Sequence, residues 1–133
     1  MIIIPEVPPK INTYDIDGVI FINKDIQGLT PTPNDIIITG RSYEEHEETY
    51  KMLSERGIHN QVFYNSLKFD EKTRESSGFH KGKVLNMLKK HYDIQVHFED
   101  DEIQIEQIKL IAPWVNIIHI KHDLTYKENM RHV

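Results

Sequence analysis

A chain of 133 residues, 38% of them hydrophobic, is sized for one domain around one core rather than for a disordered segment. Its formal net charge of −5 excludes a generally basic nucleic-acid-binding surface but leaves room for a local basic groove. With no cysteine there is neither a disulfide framework nor a thiolate zinc site, and the expected setting is a reducing one, the cytoplasm.

Residues 1–10 carry Pro5, Pro8 and Pro9 and predict an extended arm, with Ile2, Ile3 and Ile4 lying against a sheet edge. Pro5 ends that apolar opening too early for a signal-peptide core or a membrane span. Residues 11–14 read as a short strand, broken by Asp15-Ile16-Asp17-Gly18, where the chain has to turn. If strand geometry persists, positions i and i+2 share a face, so the two carboxylates converge. Such a pair suits a hard divalent cation, and it equally suits a nucleophile beside an acid/base. Residues 19–25 predict a small hairpin projecting beside the carboxylates, and the prolines at 31 and 33 a rigid connector.

Residues 35–42 form a second buried-type strand that closes on Thr39, Gly40, Arg41 and Ser42. Ser42-Tyr43-Glu44-Glu45 has the form of a capping box, so a helix should start there. Tyr43, Tyr50 and Leu53 recur at its period, Glu44 to Glu48 form a solvated face, and Gly57 ends it in a left-handed cap. Residues 61–64 predict a third strand, and residues 65–80 a mobile polar loop carrying Lys68, Arg74 and His80. A second helix is expected over 81–92, a fourth strand over 94–98, a third helix over 103–112 and a fifth strand over 115–121. His119 and His122 are three apart on that last strand, hence on opposite faces, and receive no role. Residues 123–133 read as a polar tail.

Strands alternating with helices predict an α/β fold: a doubly wound, mainly parallel five-stranded sheet with helices on both faces, three-layered and Rossmann-like. In such sheets ligands bind outside the carboxyl ends of the strands. Asp15 and Asp17, Thr39, and the acids Glu99, Asp100 and Asp101 all fall at predicted carboxyl ends, so distant positions meet at one edge. Chemistry follows from that meeting. Asp15 attacking a phosphorus atom needs a cation to offset the repulsion of like charges, and Asp15, the backbone carbonyl of Asp17 and Asp100 are the candidate Mg2+ ligands. Asp17 can protonate a leaving alkoxide and then deprotonate the hydrolytic water. Thr39 and nearby amides can bind phosphoryl oxygens, and a lysine at the start of the second helix can neutralise the transition state.

These residues resemble the haloacid dehalogenase-like hydrolases, whose four motifs stand here in order across the whole domain: Asp15-Ile16-Asp17-Gly18-Val19, Thr39 after three isoleucines, Lys81, and Phe98-Glu99-Asp100. The resemblance implies a Mg2+-dependent phosphatase, with Asp15 as nucleophile, Asp17 as acid/base, Thr39 and Lys81 as phosphate partners, and Asp100 as metal ligand. Lys83 is the alternative lysine, and Glu99 or Asp101 the alternative acid. Thr39-Gly40-Arg41 is similar to the phosphatase domain of polynucleotide kinase, which implies a phosphorylated nucleic-acid end as substrate, with Gly40, Arg41, Lys68 and Arg74 as contacts. Neither 19–35 nor 65–80 is long enough for a large cap, so the site should be open. Two alternatives stand beside this reading: a small-molecule phosphatase whose lid comes from oligomerisation, and a non-catalytic, receiver-like domain that binds phosphate or metal. Against a receiver, Tyr64-Asn65 ends the third strand without an aspartate.

Overall fold

The computed structural model describes residues 7–122. The expectations for Ile2 to Ile4 and for the 123–133 tail lie outside the described residues.

Runs of isoleucine and valine too continuous to be half-solvated build a parallel sheet buried on both faces. Its strands are β1 (Lys10–Tyr14), β2 (Ile36–Ser42), β3 (Val62–Asn65), β4 (Asp93–Glu99) and β5 (Ile117–His119), in the order β3-β2-β1-β4-β5. Every pairing is parallel. Strand order reverses between β1 and β4, and Tyr14 pairs with Phe98 there, so Asp15 and Glu99 leave the sheet side by side.

The helices are α1 (His46–Ser54), preceded by a 3-10 turn over Tyr43–Glu45, α2 (Arg74–Leu88) and α3 (Glu102–Ile111). Alternation along β2 divides the interior. Ile36 and Ile38 join Val84, Leu85, Leu88 and Ile108 under α2 and α3. Ile37 faces the other way, towards Ile16, Val19, Ile20 and Leu53 under α1. The result is a three-layer, Rossmann-like α/β fold, with no large cap among the described residues.

Four local expectations are corrected. Residues 16–28 do fold back, with the Leu29 amide on the Val19 carbonyl and the Gly28 amide on the Ile20 carbonyl. Yet Val19, Ile20 and Phe21 are buried, so this segment packs as core beneath the site instead of projecting. The Ser42–Glu45 capping box forms and Gly57 has φ +69°, but Tyr43 and Tyr50 are exposed, and Glu45, Thr49 and Leu53 make the inner face. Helix α2 starts at Arg74, seven residues before the expected start, capped by Thr73 and Ser76, and it absorbs half of the predicted loop. Strand β5 is shorter than expected and ends at His119.

Candidate active site

Strand β1 ends at Tyr14, and the Asp15 amide donates to the Phe98 carbonyl, so the first acid is fixed at the reversal point of the sheet. Asp15 and Glu99 are fully buried, and between them lies the fully buried Lys81 of α2. Its Nζ is 3.1 Å from Asp15 Oδ1 and 2.7 Å from Glu99 Oε1. Burial opposes the ammonium charge, but the two carboxylates outweigh it and hold Lys81 above the ordinary lysine range. Glu99 is likewise held far below the usual carboxylate range: burial would raise it, and Lys81 with His97 prevails. Lys81 reaches this depth because α2 runs very close to α3: a methyl at Gly78 would meet Gln104 and Gln107, and one at Gly82 would meet Ile111. Lys83, two residues on, is exposed, its ammonium 5.3 Å from the Phe79 ring.

A polar chain continues inward. His97 Nε2 lies 3.2 Å from Glu99 Oε1, and its Nδ1 lies 2.7 Å from the Thr13 hydroxyl. A single neutral tautomer, with the proton on Nε2 and Nδ1 accepting from Thr13, satisfies both bonds, and burial pushes the His97 pKa down into agreement with it.

The second acid is held by an arginine. Strand geometry ends at Tyr14, before Asp17. Arg41 holds both of its oxygens, at 2.9 and 2.8 Å, while Nη1 donates to Thr49 at 3.1 Å. Burial works against the guanidinium charge, but Asp17 more than compensates and raises the Arg41 pKa. Thr39 is buried, and its hydroxyl accepts from the Arg41 amide at 3.0 Å, fixing the Thr39-Gly40-Arg41 backbone. Gly18, at φ +86°, presses its α-carbon against the Asp100 carboxylate, so no side chain fits there.

Asp15, Glu99 and Asp100 bring carboxylate oxygens within 4.8 Å of one another. Asp101 stands outside this group. It caps α3 through the Ile103 amide at 3.0 Å and takes a bidentate pair from Arg74 at 2.9 and 2.7 Å. Arg74 therefore ties α2 to α3 and is not on a loop; Lys68 is exposed before α2. The adjoining pairs Arg41–Asp17 and Arg74–Asp101 are formally neutral. Asp15, Glu99 and Asp100 offer an all-oxygen donor set of the kind hard cations take, and Lys81 offsets part of their charge.

Sequence reasoning missed three residues here. Lys72, with its side chain almost fully buried, donates to the Gly40 carbonyl at 3.0 Å and pairs with Glu45 at 3.2 Å. Burial lowers its pKa, against the opposing pull of Glu45 and Asp17. No periodicity marks it. His119 donates to the Asp100 carbonyl at 3.1 Å, and His122 to the Gly18 carbonyl at 2.9 Å, so the opposite-face expectation fails because the strand stops at His119. The rule that collected acids at strand ends would have collected His119 too.

No protein-family model matches the chain, and no curated protein matches it. Its fold is similar to that of a chain in the structure of the Pnkp1/Rnl/Hen1 RNA repair complex, with a TM-score of 0.64 and 17% identity over 85% of this chain. The match covers 42% of that chain, so the present sequence spans less than half of its neighbour's length. At this identity the likeness establishes the fold. Among the described residues no helix is long and apolar enough to cross a membrane.

Proposed function

We propose that this domain hydrolyses phosphomonoesters with Mg2+ through an aspartyl-phosphate. The observation that carries the reading is the buried Asp15–Lys81–Glu99 cluster beside Asp100, where strand order reverses. Asp15 and Asp100 are the ligands best suited to the ion, with Glu99 chiefly holding Lys81. When bound, Mg2+ supplies positive charge that lets an anionic nucleophile approach an anionic ester.

The chain's own groups do the rest. An oxygen of Asp15 forms a bond to phosphorus as the ester P–O bond breaks, and the leaving oxygen takes a proton from Asp17. Lys81, held against Asp15, offsets the charge that builds on the phosphoryl group, and the Thr39-Gly40-Arg41 backbone offers it hydrogen bonds. Water then attacks the same phosphorus and gives its proton to Asp17, releasing inorganic phosphate and restoring Asp15. In the ionised form gripped by Arg41, Asp17 is ready for this second step; the proton gained here passes to the next leaving group.

The substrate we favour is a phosphorylated nucleic-acid end. A site without a cap does not enclose a small metabolite with its own chain, whereas a large substrate brings its own contacts. The neighbouring fold in an RNA repair complex supports the same choice. The test of the chemistry is turnover of p-nitrophenyl phosphate with added Mg2+, with EDTA, and by Asp15→Asn. Turnover by wild type alone, lost in EDTA, is expected; an Asp15→Asn protein as fast as wild type would overturn the nucleophile assignment.

A further inference from the structure

The end of β5 and the residues after it are laced along the two loops that carry the acids. The Ile120 amide donates to the Glu99 carbonyl at 2.8 Å, His119 Nε2 to the Asp100 carbonyl at 3.1 Å, and His122 Nε2 to the Gly18 carbonyl at 2.9 Å. The last of these is 104 residues away in sequence. The same His122 nitrogen lies 3.5 Å from Asp100 Oδ2, and the His122 side chain is 13% exposed. Its other nitrogen, Nδ1, is buried with no hydrogen-bond partner among the described residues. That fixes the proton on Nε2, because a proton on Nδ1 would be a buried donor without an acceptor.

One N–H thus faces both the backbone of the first acidic loop and the carboxylate of the second. Gly18 makes this contact tight: its α-carbon is against Asp100, so the spacing between the loops is set by Gly18 on one side and by the His122 bond on the other. Asp15 lies three residues before Gly18. Releasing the Gly18 carbonyl frees the turn that places Asp15 and, with it, the Asp15–Asp100 separation that a cation reads.

We propose that His122 is a positioning residue: through its Nε2–H it clamps the Gly18 turn to Asp100 and sets the oxygen spacing of the divalent-cation site, with His119 holding the Asp100 carbonyl. This rests on the metal reading above.

The experiment is Mn2+ titration followed by electron paramagnetic resonance of the free ion, which reads affinity without turnover, on wild type, His122→Ala and His122→Gln, with thermal melts alongside. Partners that orient ligands typically contribute about 10- to 100-fold in metal affinity, and His122→Ala should lose that much while melting as a folded protein. Glutamine carries an amide N–H at similar reach, so His122→Gln should recover most of the loss. Unchanged Mn2+ affinity in His122→Ala, or no recovery in His122→Gln, overturns the clamp. Unfolding of both variants also overturns it, in favour of a purely structural histidine. A wild-type protein that leaves all Mn2+ free removes the metal reading itself, and the clamp with it.

Discussion

Arg41 binds Asp17 through two parallel hydrogen bonds, Nε to Oδ2 at 2.9 Å and Nη2 to Oδ1 at 2.8 Å, with both side chains nearly buried. A fork of this kind fixes the orientation of the carboxylate as well as its charge, and a lysine reproduces only the charge. Arg41→Lys should therefore lower kcat more than it raises KM, by about 10-fold or more if Asp17 acts as base. Arg41→Met should also cost about 2–4 kcal/mol of stability, since it leaves a carboxylate buried without its cation. Urea unfolding and steady-state kinetics on the two variants separate these effects; equal kcat for wild type and Arg41→Lys would remove orientation as the role of Arg41.

Lys81 bridges Asp15 and Glu99, and none of the three side chains is exposed. Lys81→Met should destabilise the fold by about 3–5 kcal/mol, as removal of one partner from a buried ion pair does. Adding Glu99→Leu should return part of that loss, because a buried pair replaced by apolar groups is often near neutral. A double variant less stable than Lys81→Met would show that Glu99 serves the fold through His97 and the Asp100 and Asp101 amides rather than through Lys81.

The sheet was legible because isoleucine leaves few alternatives: Ile36, Ile37 and Ile38 are buried to both sides, as a central parallel strand requires. The meeting of Asp15, Glu99 and Asp100 at one edge of the sheet followed from topology. The start of α2 was illegible for an equally physical reason. Its inner face at that end consists of Ser77, Gly78, Lys81 and Gly82, all buried and none with a large apolar side chain, so no hydrophobic period announces it. Close passage of α3 demands small residues there, and the buried carboxylates of Asp15 and Glu99 hold the lysine. Arg74 was read as a loop residue through the same gap. The expectation that Asp15 and Asp17 share a face was conditional on an extended chain, and the strand stops at Tyr14, so their arrangement depends on the Gly18 turn and the Arg41 fork instead of on strand alternation.

His80, beside Lys81 on α2, is held down to a pKa of about 4, first by burial and then by the Lys81 charge. Its Nε2 is buried without a hydrogen-bond partner among the described residues. The folded state thus binds this proton less readily than the unfolded chain, whose histidine titrates near 6.5. Stability from His80 is fully present above that value and is lost as pH falls from about 6.5 towards 4, by up to about 3 kcal/mol over the whole window. His80→Asn keeps a donor near the position of Nδ1 and does not titrate, so its stability should change less between pH 7 and pH 4.5. Parallel stability–pH profiles for the two proteins would show that His80 titrates normally in the fold.

Substrate size is the part of the proposal that salt can test. Each phosphate neutralised by a basic side chain releases condensed counterions, so binding of an oligonucleotide falls steeply with salt, whereas a small phosphomonoester loses much less. The net charge of −5 works against a polyanion, so any gain has to come from local groups, and exposed Lys68, on the segment between β3 and α2, is the candidate contact. Arg74 is a poorer one, because Asp101 already holds its guanidinium. We expect kcat/KM for a 3′-phosphorylated oligonucleotide to exceed that for the 3′-mononucleotide at low salt, and the advantage to shrink as salt is raised. Lys68→Ala should flatten this salt dependence by roughly one unit of log–log slope while leaving p-nitrophenyl phosphate turnover unchanged, since one phosphate contact contributes about that much. A preference for sugar phosphates, with no benefit from a longer nucleotide chain at either salt concentration, would replace the nucleic-acid end with a small metabolite and require a second subunit to close the site.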